Sequence, residues 1–371
     1  MTRLVFLVPG FFGFSTLRAV SYFRDVEHLL SRALKQRGVD ARIVRCPTQP
    51  TGSIVRRADS LRRHVIRHGG LKSRELHFIG HSTGGLDVRM LLTPGVQIAP
   101  DDTAQRIARR TRTAISVVTP HFGTPLANAF LTAQGHRLLL LLSSLATTSP
   151  VRAAAMATTR SISLLTRIDD WFDRDAGPVD RLARALFRRI SFKRNDPTWA
   201  YLEAIASDQG AVLQLTPEAI DLFQASVTDR AGIDYGCVIA GVPEPHEELC
   251  TRVLLQPHRV ALRALFRVLH GITANSRTQY PCPVPAAVVR RRLENQLGFA
   301  LDQRTNDGVV PTLSQLHGRV VYAACADHLD VVGHFTLAAG NTSDWLPSGA
   351  GFTPEAFEAL WDSVAAAIAR R

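Results

Sequence analysis

Gly80-His81-Ser82-Thr83-Gly84 is a G-x-S-x-G stretch, set between a short apolar run at residues 76–79 and a helix-compatible segment. A serine hydroxyl is a weak nucleophile at neutral pH. It needs a base, the base needs an orienting carboxylate, and the developing oxyanion needs N–H donors already in place. A sharp strand-to-helix turn would present Ser82 in a strained backbone conformation, and glycines at 80 and 84 would let strand and helix approach closely. The bland alternative is an ordinary Gly-rich turn, because the bare pattern recurs by chance.

Two loops near the end of the chain carry the partners. Thr305-Asn306-Asp307-Gly308 places Asp307 on a turn, and Cys325-Ala326-Asp327-His328 places His328 directly after an apolar strand candidate. The assignment is Ser82 as nucleophile, His328 as general base and acid, and Asp307 as orienter of the imidazole. His334 and His121 are the rival imidazoles, and Asp302, Asp327 and Asp330 the rival carboxylates. His328 is preferred because it stands closest to a strand end. The backbone N–H of Thr83 supplies one oxyanion donor, and Phe11, in the loop Pro9-Gly10-Phe11, the other. That loop has neither the G-K-[ST] ending of a P-loop nor the third glycine of a dinucleotide fingerprint.

Strands must carry these residues to one edge. Apolar runs at 4–8, 41–46, 76–79, 113–119, 233–242 and 319–324 predict six strands, several of them ended by Pro or Gly. Helical periodicity between them, at 21–37, 53–68, 258–270 and 354–368, predicts a mostly parallel sheet with helices on both faces. In such a sheet ligands bind beyond the carboxyl ends of the strands, where Phe11, Ser82 and His121 collect. The strand rhythm lapses over 126–229, where helical patterns at 126–146, 151–167, 179–190 and 217–225 predict a helical cap inserted into a core formed by residues 1–125 and 230–371.

The 371-residue chain carries a formal charge of +12, nearly all arginine, since its only lysines are Lys35, Lys72 and Lys193. The arginines are dispersed and lack interleaved aromatics, so a nucleic-acid partner is not expected. The five cysteines form no C-x-x-C motif. No apolar run reaches membrane-span length, and the first strand candidate is too short for a signal-peptide core, so a cytoplasmic location is the expectation for the sequence as written.

Taken together, F-L-V-P-G-F-F-G, F-I-G-H-S-T-G-G-L-D-V-R, V-V-T-P-H-F-G-T-P-L-A, T-N-D-G-V-V-P and D-H-L-D-V-V-G-H-F resemble the α/β-hydrolase superfamily, and within it the bacterial true lipases. The resemblance implies an α/β-hydrolase fold and ester hydrolysis through an acyl-enzyme. Ser82, Asp307 and His328 fall on its triad positions, and Phe11 and Thr83 on its oxyanion positions. Pro9 stands where a His is frequent. Lipases of this kind hold a structural calcium through an Asp two residues after the catalytic His. Asp330 matches that position, no Asp upstream of Asp307 matches the second ligand, and His334 stands where a further ligand is expected. No other cofactor is implied. The expected substrates are hydrophobic esters at a lipid–water or polymer interface. A polyester depolymerase using the same triad and a non-catalytic binding protein of the same fold are the alternatives. Oligomeric state and acyl-chain preference stay open.

Overall fold

Alternation along the strands shows why this sequence makes a two-sided sheet. In β1 (Arg3–Val8), Val5 and Leu7 point to one face, and Leu4, Phe6 and Val8 to the other; all five are buried. The computed structural model describes residues 2–11, 22–132, 210–244, 257–274, 282–336, 344 and 346–370. Within them β1, β2 (Ala41–Arg45), β3 (Glu75–His81), β4 (Thr111–Val117), β5 (Asp234–Gly241) and β6 (Arg319–Cys325) form one sheet in the order β2-β1-β3-β4-β5-β6, with every pairing parallel. These are the six expected strands.

Two layers of helices cover the sheet. On one face lie α1 (Val26–Gln36) and the last helix, Pro354–Ala369; Leu30, Leu34, Leu360 and the fully buried Trp361 pack on Val5, Ile79 and Val238. On the other lie α2 (Ile54–Arg67), α3 (Thr83–Leu92) and α4 (Thr103–Arg110), whose Leu61, Leu91 and Ile107 meet the stacked rings of Phe6 and Phe78, 5.4 Å apart. Further along that face Leu293 and Leu297 of helix Ala287–Leu297 cover Ile239 and Ala323.

Two of these helices were not expected. Thr103–Arg110 is only eight residues long and Ala287–Leu297 buries only Leu293 and Leu297, so neither carries a long apolar stripe. The pattern at 126–146 begins as α5 (Pro125–Phe130), and its capping turn continues to Thr132. Residues 133–209, with the cap helices expected at 151–167 and 179–190, lie outside the described residues. After them come α6 (Gly210–Gln214), α7 (Pro217–Ser226) and α8 (Pro257–Ala274). Ala127, Leu215, Ile220 and Phe223 form a cluster with Ile54, Leu86 and Met90, against which Phe11 packs. No described helix is long and apolar enough to cross a membrane.

The chain leaves β1 for β2 on one side and returns to β3 on the other. This reversal opens a crevice between the carboxyl ends of β1 and β3, where parallel sheets bind ligands. Pro9-Gly10-Phe11 and Ser82 stand at its two lips.

Candidate active site

Ser82 follows β3 and caps α3 with φ 54° and ψ −131°, a conformation that L-residues adopt at a cost of about 1–3 kcal/mol. It is held there from several sides. Its N–H donates to Val117 O at 2.8 Å, and its carbonyl accepts from Gly85 N–H at 3.1 Å. A Cβ on Gly80 would fall 2.5 Å from the backbone of Gly84 and Gly85, so the tight return of helix on strand requires glycine at 80. A second strained residue stands beside it: Val118, β-branched yet at φ 45°, at the carboxyl end of β4.

Asp307 and His328 come from the loops after β5 and β6. His328 Nδ1 lies 2.7 Å from Asp307 Oδ2, and the His328 N–H donates to the Asp307 carbonyl at 3.0 Å, so the two residues are joined by side chain and backbone. The Asp307 carboxylate is fully buried but well provided with donors. Val309 N–H and Val310 N–H reach Oδ1 at 2.9 and 2.7 Å, and Gln315 Nε2 reaches Oδ2 at 3.1 Å. A carboxylate so surrounded only accepts, so the His328 proton sits on Nδ1 and Nε2 keeps its lone pair.

The pair is docked against the elbow through His81, the chain neighbour of Ser82. His81 Nε2 lies 2.9 Å from His328 O, and the two rings are 4.9 Å apart. Burial, reinforced by the neighbouring His328, pushes the His81 pKa well below its usual value, so His81 is neutral. On its far side, His81 Nδ1 is 2.6 Å from the Tyr22 hydroxyl. Neither Tyr22 nor His81 was singled out from the sequence, and only the place of His81 inside G-x-S-x-G could have drawn attention to it.

Phe11 and Thr83 take up positions beside Ser82. Thr83 is the first residue of α3 and buried, and Phe11 follows Gly10, whose Cα faces the Ser82 side chain. The loop is anchored by the fully buried Arg57. Its Nη2 donates to Pro9 O at 3.0 Å and to Asp87 Oδ2 at 2.7 Å, and its Nη1 donates to Gln49 O. Burial raises the Asp87 pKa to about 6 in spite of this partner.

The rival residues are occupied elsewhere. His121 is buried against Ser116 Oγ at 3.0 Å and the ring of His317 at 4.5 Å. Asp302 accepts from Arg304 N–H, Thr305 N–H and Thr305 Oγ1, the work of a turn residue. His334 Nε2 donates to Tyr22 O at 3.0 Å.

No known protein-family profile and no curated protein sequence matches the chain. Solved structures do. A lipase from Staphylococcus hyicus matches with TM-score 0.53 and 15% identity, covering 100% of this chain and 95% of its own. Lipase 1 from Pelosinus fermentans matches with TM-score 0.52 and 17% identity, covering 100% and 99%. EstA from Clostridium botulinum matches with TM-score 0.52 and 17% identity, covering 98% and 88%. The fold is that of the α/β-hydrolases. At these identities the likeness is one of fold, and what the site does rests on its own residues.

Asp330 meets two further acids that sequence reasoning did not join to it. Oxygens of Asp327, Asp330 and Asp344 lie within 4.8 Å of one another beside the His328 loop. Asp327 Oδ1 accepts from Leu329 N–H and Asp330 N–H, and Asp330 Oδ2 accepts from Asp327 N–H. Asp327 Oδ2 is buried near Ser348 but receives no well-formed hydrogen bond. Burial and mutual repulsion raise the pKa values of Asp327 and Asp330 above the usual carboxylate range. Three converging carboxylates with a buried, unpartnered Asp327 Oδ2 are oxygen donors of the kind calcium takes, and the acids that meet Asp330 are Asp327 and Asp344.

Proposed function

We propose that this chain is a serine carboxylic-ester hydrolase acting on hydrophobic esters. The observation that carries the reading is a strained Ser82 whose chain neighbour His81 lies against the His328–Asp307 pair, with Asp307 on the imidazole Nδ1 and Nε2 left to serve as base. Ser82 Oγ attacks the ester carbonyl while His328 Nε2 takes its proton. The Phe11 and Thr83 N–H groups stabilise the tetrahedral oxyanion, and Asp307 stabilises the imidazolium that forms. His328 then protonates the departing alcohol, and water, activated by the same imidazole, hydrolyses the acyl-Ser82 ester. The likeness in fold to two lipases supports an aliphatic or otherwise apolar acyl group. The test is labelling by a fluorophosphonate probe. Wild-type protein is expected to label and Ser82→Ala to stay blank, and an unlabelled wild type sinks the reading. A series of p-nitrophenyl esters of increasing chain length, run beside an insoluble polyester, then separates esterase, lipase and depolymerase.

Calcium belongs to the same proposal. Asp327, Asp330 and Asp344 would hold the ion, which when bound would offset the repulsion among three crowded carboxylates and fix the loop that carries His328. No proton transfer passes through it. The chemistry of attack and release is done by Ser82, His328 and Asp307.

A further inference from the structure

We infer that Tyr22 and His81 are positioning residues that tie the oxyanion loop, the elbow and the base-bearing loop into one rigid unit. The inference rests on the serine-hydrolase reading and assigns it two residues outside the triad. It follows from proton bookkeeping. His328 O can only accept, so the His81 Nε2 facing it at 2.9 Å carries the proton. His81 is neutral, so its Nδ1 is a bare lone pair. The Tyr22 hydroxyl, 2.6 Å away, therefore donates to Nδ1. The same oxygen accepts from Gly10 N–H at 3.0 Å. Burial holds the Tyr22 pKa far above its usual value, so the phenol keeps the proton it donates.

The polarity thus runs one way, from Gly10 N–H to Tyr22 O–H to His81 and on to the carbonyl of His328. One end is the residue before the proposed oxyanion donor Phe11. The other is the backbone of the proposed base, and the middle is the neighbour of the nucleophile. Tyr22 is itself pinned to the loop bearing His328. His334 Nε2 donates to Tyr22 O at 3.0 Å, and Arg24 N–H donates to Val332 O at 3.0 Å. Without the phenol hydrogen, His81 can move its proton to Nδ1 and present a lone pair to His328 O. The imidazole loop would then lose its donor, and the Gly10 amide would lose its acceptor.

Tyr22→Phe keeps the ring that packs edge-on against Phe23 and His81 and removes only the oxygen. The expected result is a fall in kcat of about 10- to 100-fold, the scale of a small misplacement of reacting groups, with KM within about twofold. Nitrogen-15 histidine spectra of the wild type should place the His81 proton on Nε2, and Tyr22→Phe should weaken that preference. His81→Gln keeps an N–H where Nε2 stood and should exceed His81→Leu in kcat by about tenfold or more. A wild-type His81 protonated on Nδ1, an unchanged kcat in Tyr22→Phe, or equal losses in the two His81 variants overturns the relay. The spectra need neither turnover nor a mutant that folds. A wild type that resists the fluorophosphonate refutes the hydrolase itself, whereas a labelled wild type matched in rate by Tyr22→Phe refutes the relay alone.

Discussion

Gly10 abuts Ser82 so closely that a Cβ built on Gly10 would overlap the Ser82 Cβ and lie 3.0 Å from its Oγ. The first loop is therefore packed onto Ser82, and Phe11, the proposed oxyanion donor, is the next residue in that loop. Gly10→Ala cannot be accommodated without shifting the loop or the Ser82 rotamer. The expected outcome is a folded protein whose kcat/KM falls by at least about 100-fold, the value of one oxyanion donor. Circular dichroism checks the fold and ester hydrolysis the rate. Wild-type turnover in this variant would place the oxyanion donor elsewhere.

Asp307 receives only N–H donors, which makes Asp307→Asn informative. The new amide would offer its own N–H to one of those donors or turn it on His328 Nδ1, favouring the imidazole tautomer whose Nε2 is protonated and unable to act as base. A loss in kcat of about 10⁴-fold is expected with substrate binding little changed. Steady-state kinetics read it, and a loss below tenfold would contradict Asp307 as orienter.

How much of this could be read from the sequence depends on the range of the interactions involved. The strands were legible because a strand buried on both faces is a short unbroken apolar run, and Pro9 and Pro47 punctuate the first two. The stripe Phe357, Leu360, Trp361 and Val364 is likewise the buried face of the last helix. Ser82, Asp307 and His328 stood out because each needs a strand end, which periodicity locates. Tyr22 and His81 meet across 59 positions through one hydrogen bond that no local pattern encodes. Gln315 hides in a short 3-10 turn, and Asp344 stands well beyond the His328 loop it joins. Arg57 read as one of many surface arginines on its helix, because its burial depends on Asp87 from another helix.

That buried pair leads to a stability prediction. Arg57→Met removes the side-chain partner that Asp87 has among the described residues and should destabilise by about 3–5 kcal/mol in urea unfolding. Adding Asp87→Leu should recover most of that loss, because an apolar pair replaces an uncompensated buried charge. Activity should stay low in the double variant, since Pro9 O no longer has the Arg57 donor that anchors the loop carrying Phe11, the proposed oxyanion donor. A double variant as unstable as the single would contradict the account.

The carboxylate cluster predicts a calcium effect on melting that is separable from catalysis. At calcium about 100-fold above its dissociation constant, binding to the native state alone adds about 2.7 kcal/mol. For a chain of this size that corresponds to a rise in Tm on the order of 5 °C relative to EDTA. Asp344→Asn and Asp327→Asn should each reduce the rise, while Ser82→Ala should keep it. Magnesium should not substitute, because it demands a tighter octahedral shell. Identical melting in calcium and EDTA would rule out a structural ion at these acids.

His77 is one of the buried histidines that make stability fall in acid. It is buried in β3 with no hydrogen-bond partner on either ring nitrogen, and burial, the largest cause, lowers its pKa to about 4. In the unfolded chain the same ring titrates near about 6.5. Between those values the unfolded state binds a proton that the native state does not. Native stability is therefore greatest above the higher value and falls as the pH drops toward the lower one, by on the order of 3 kcal/mol across the interval. His77→Leu removes both the proton linkage and two unsatisfied polar atoms from the interior. Urea midpoints measured from pH 7 to pH 4 should therefore be higher for the variant at pH 5 and decline less steeply. A slope identical to wild type would show that His77 does not contribute to proton uptake on unfolding.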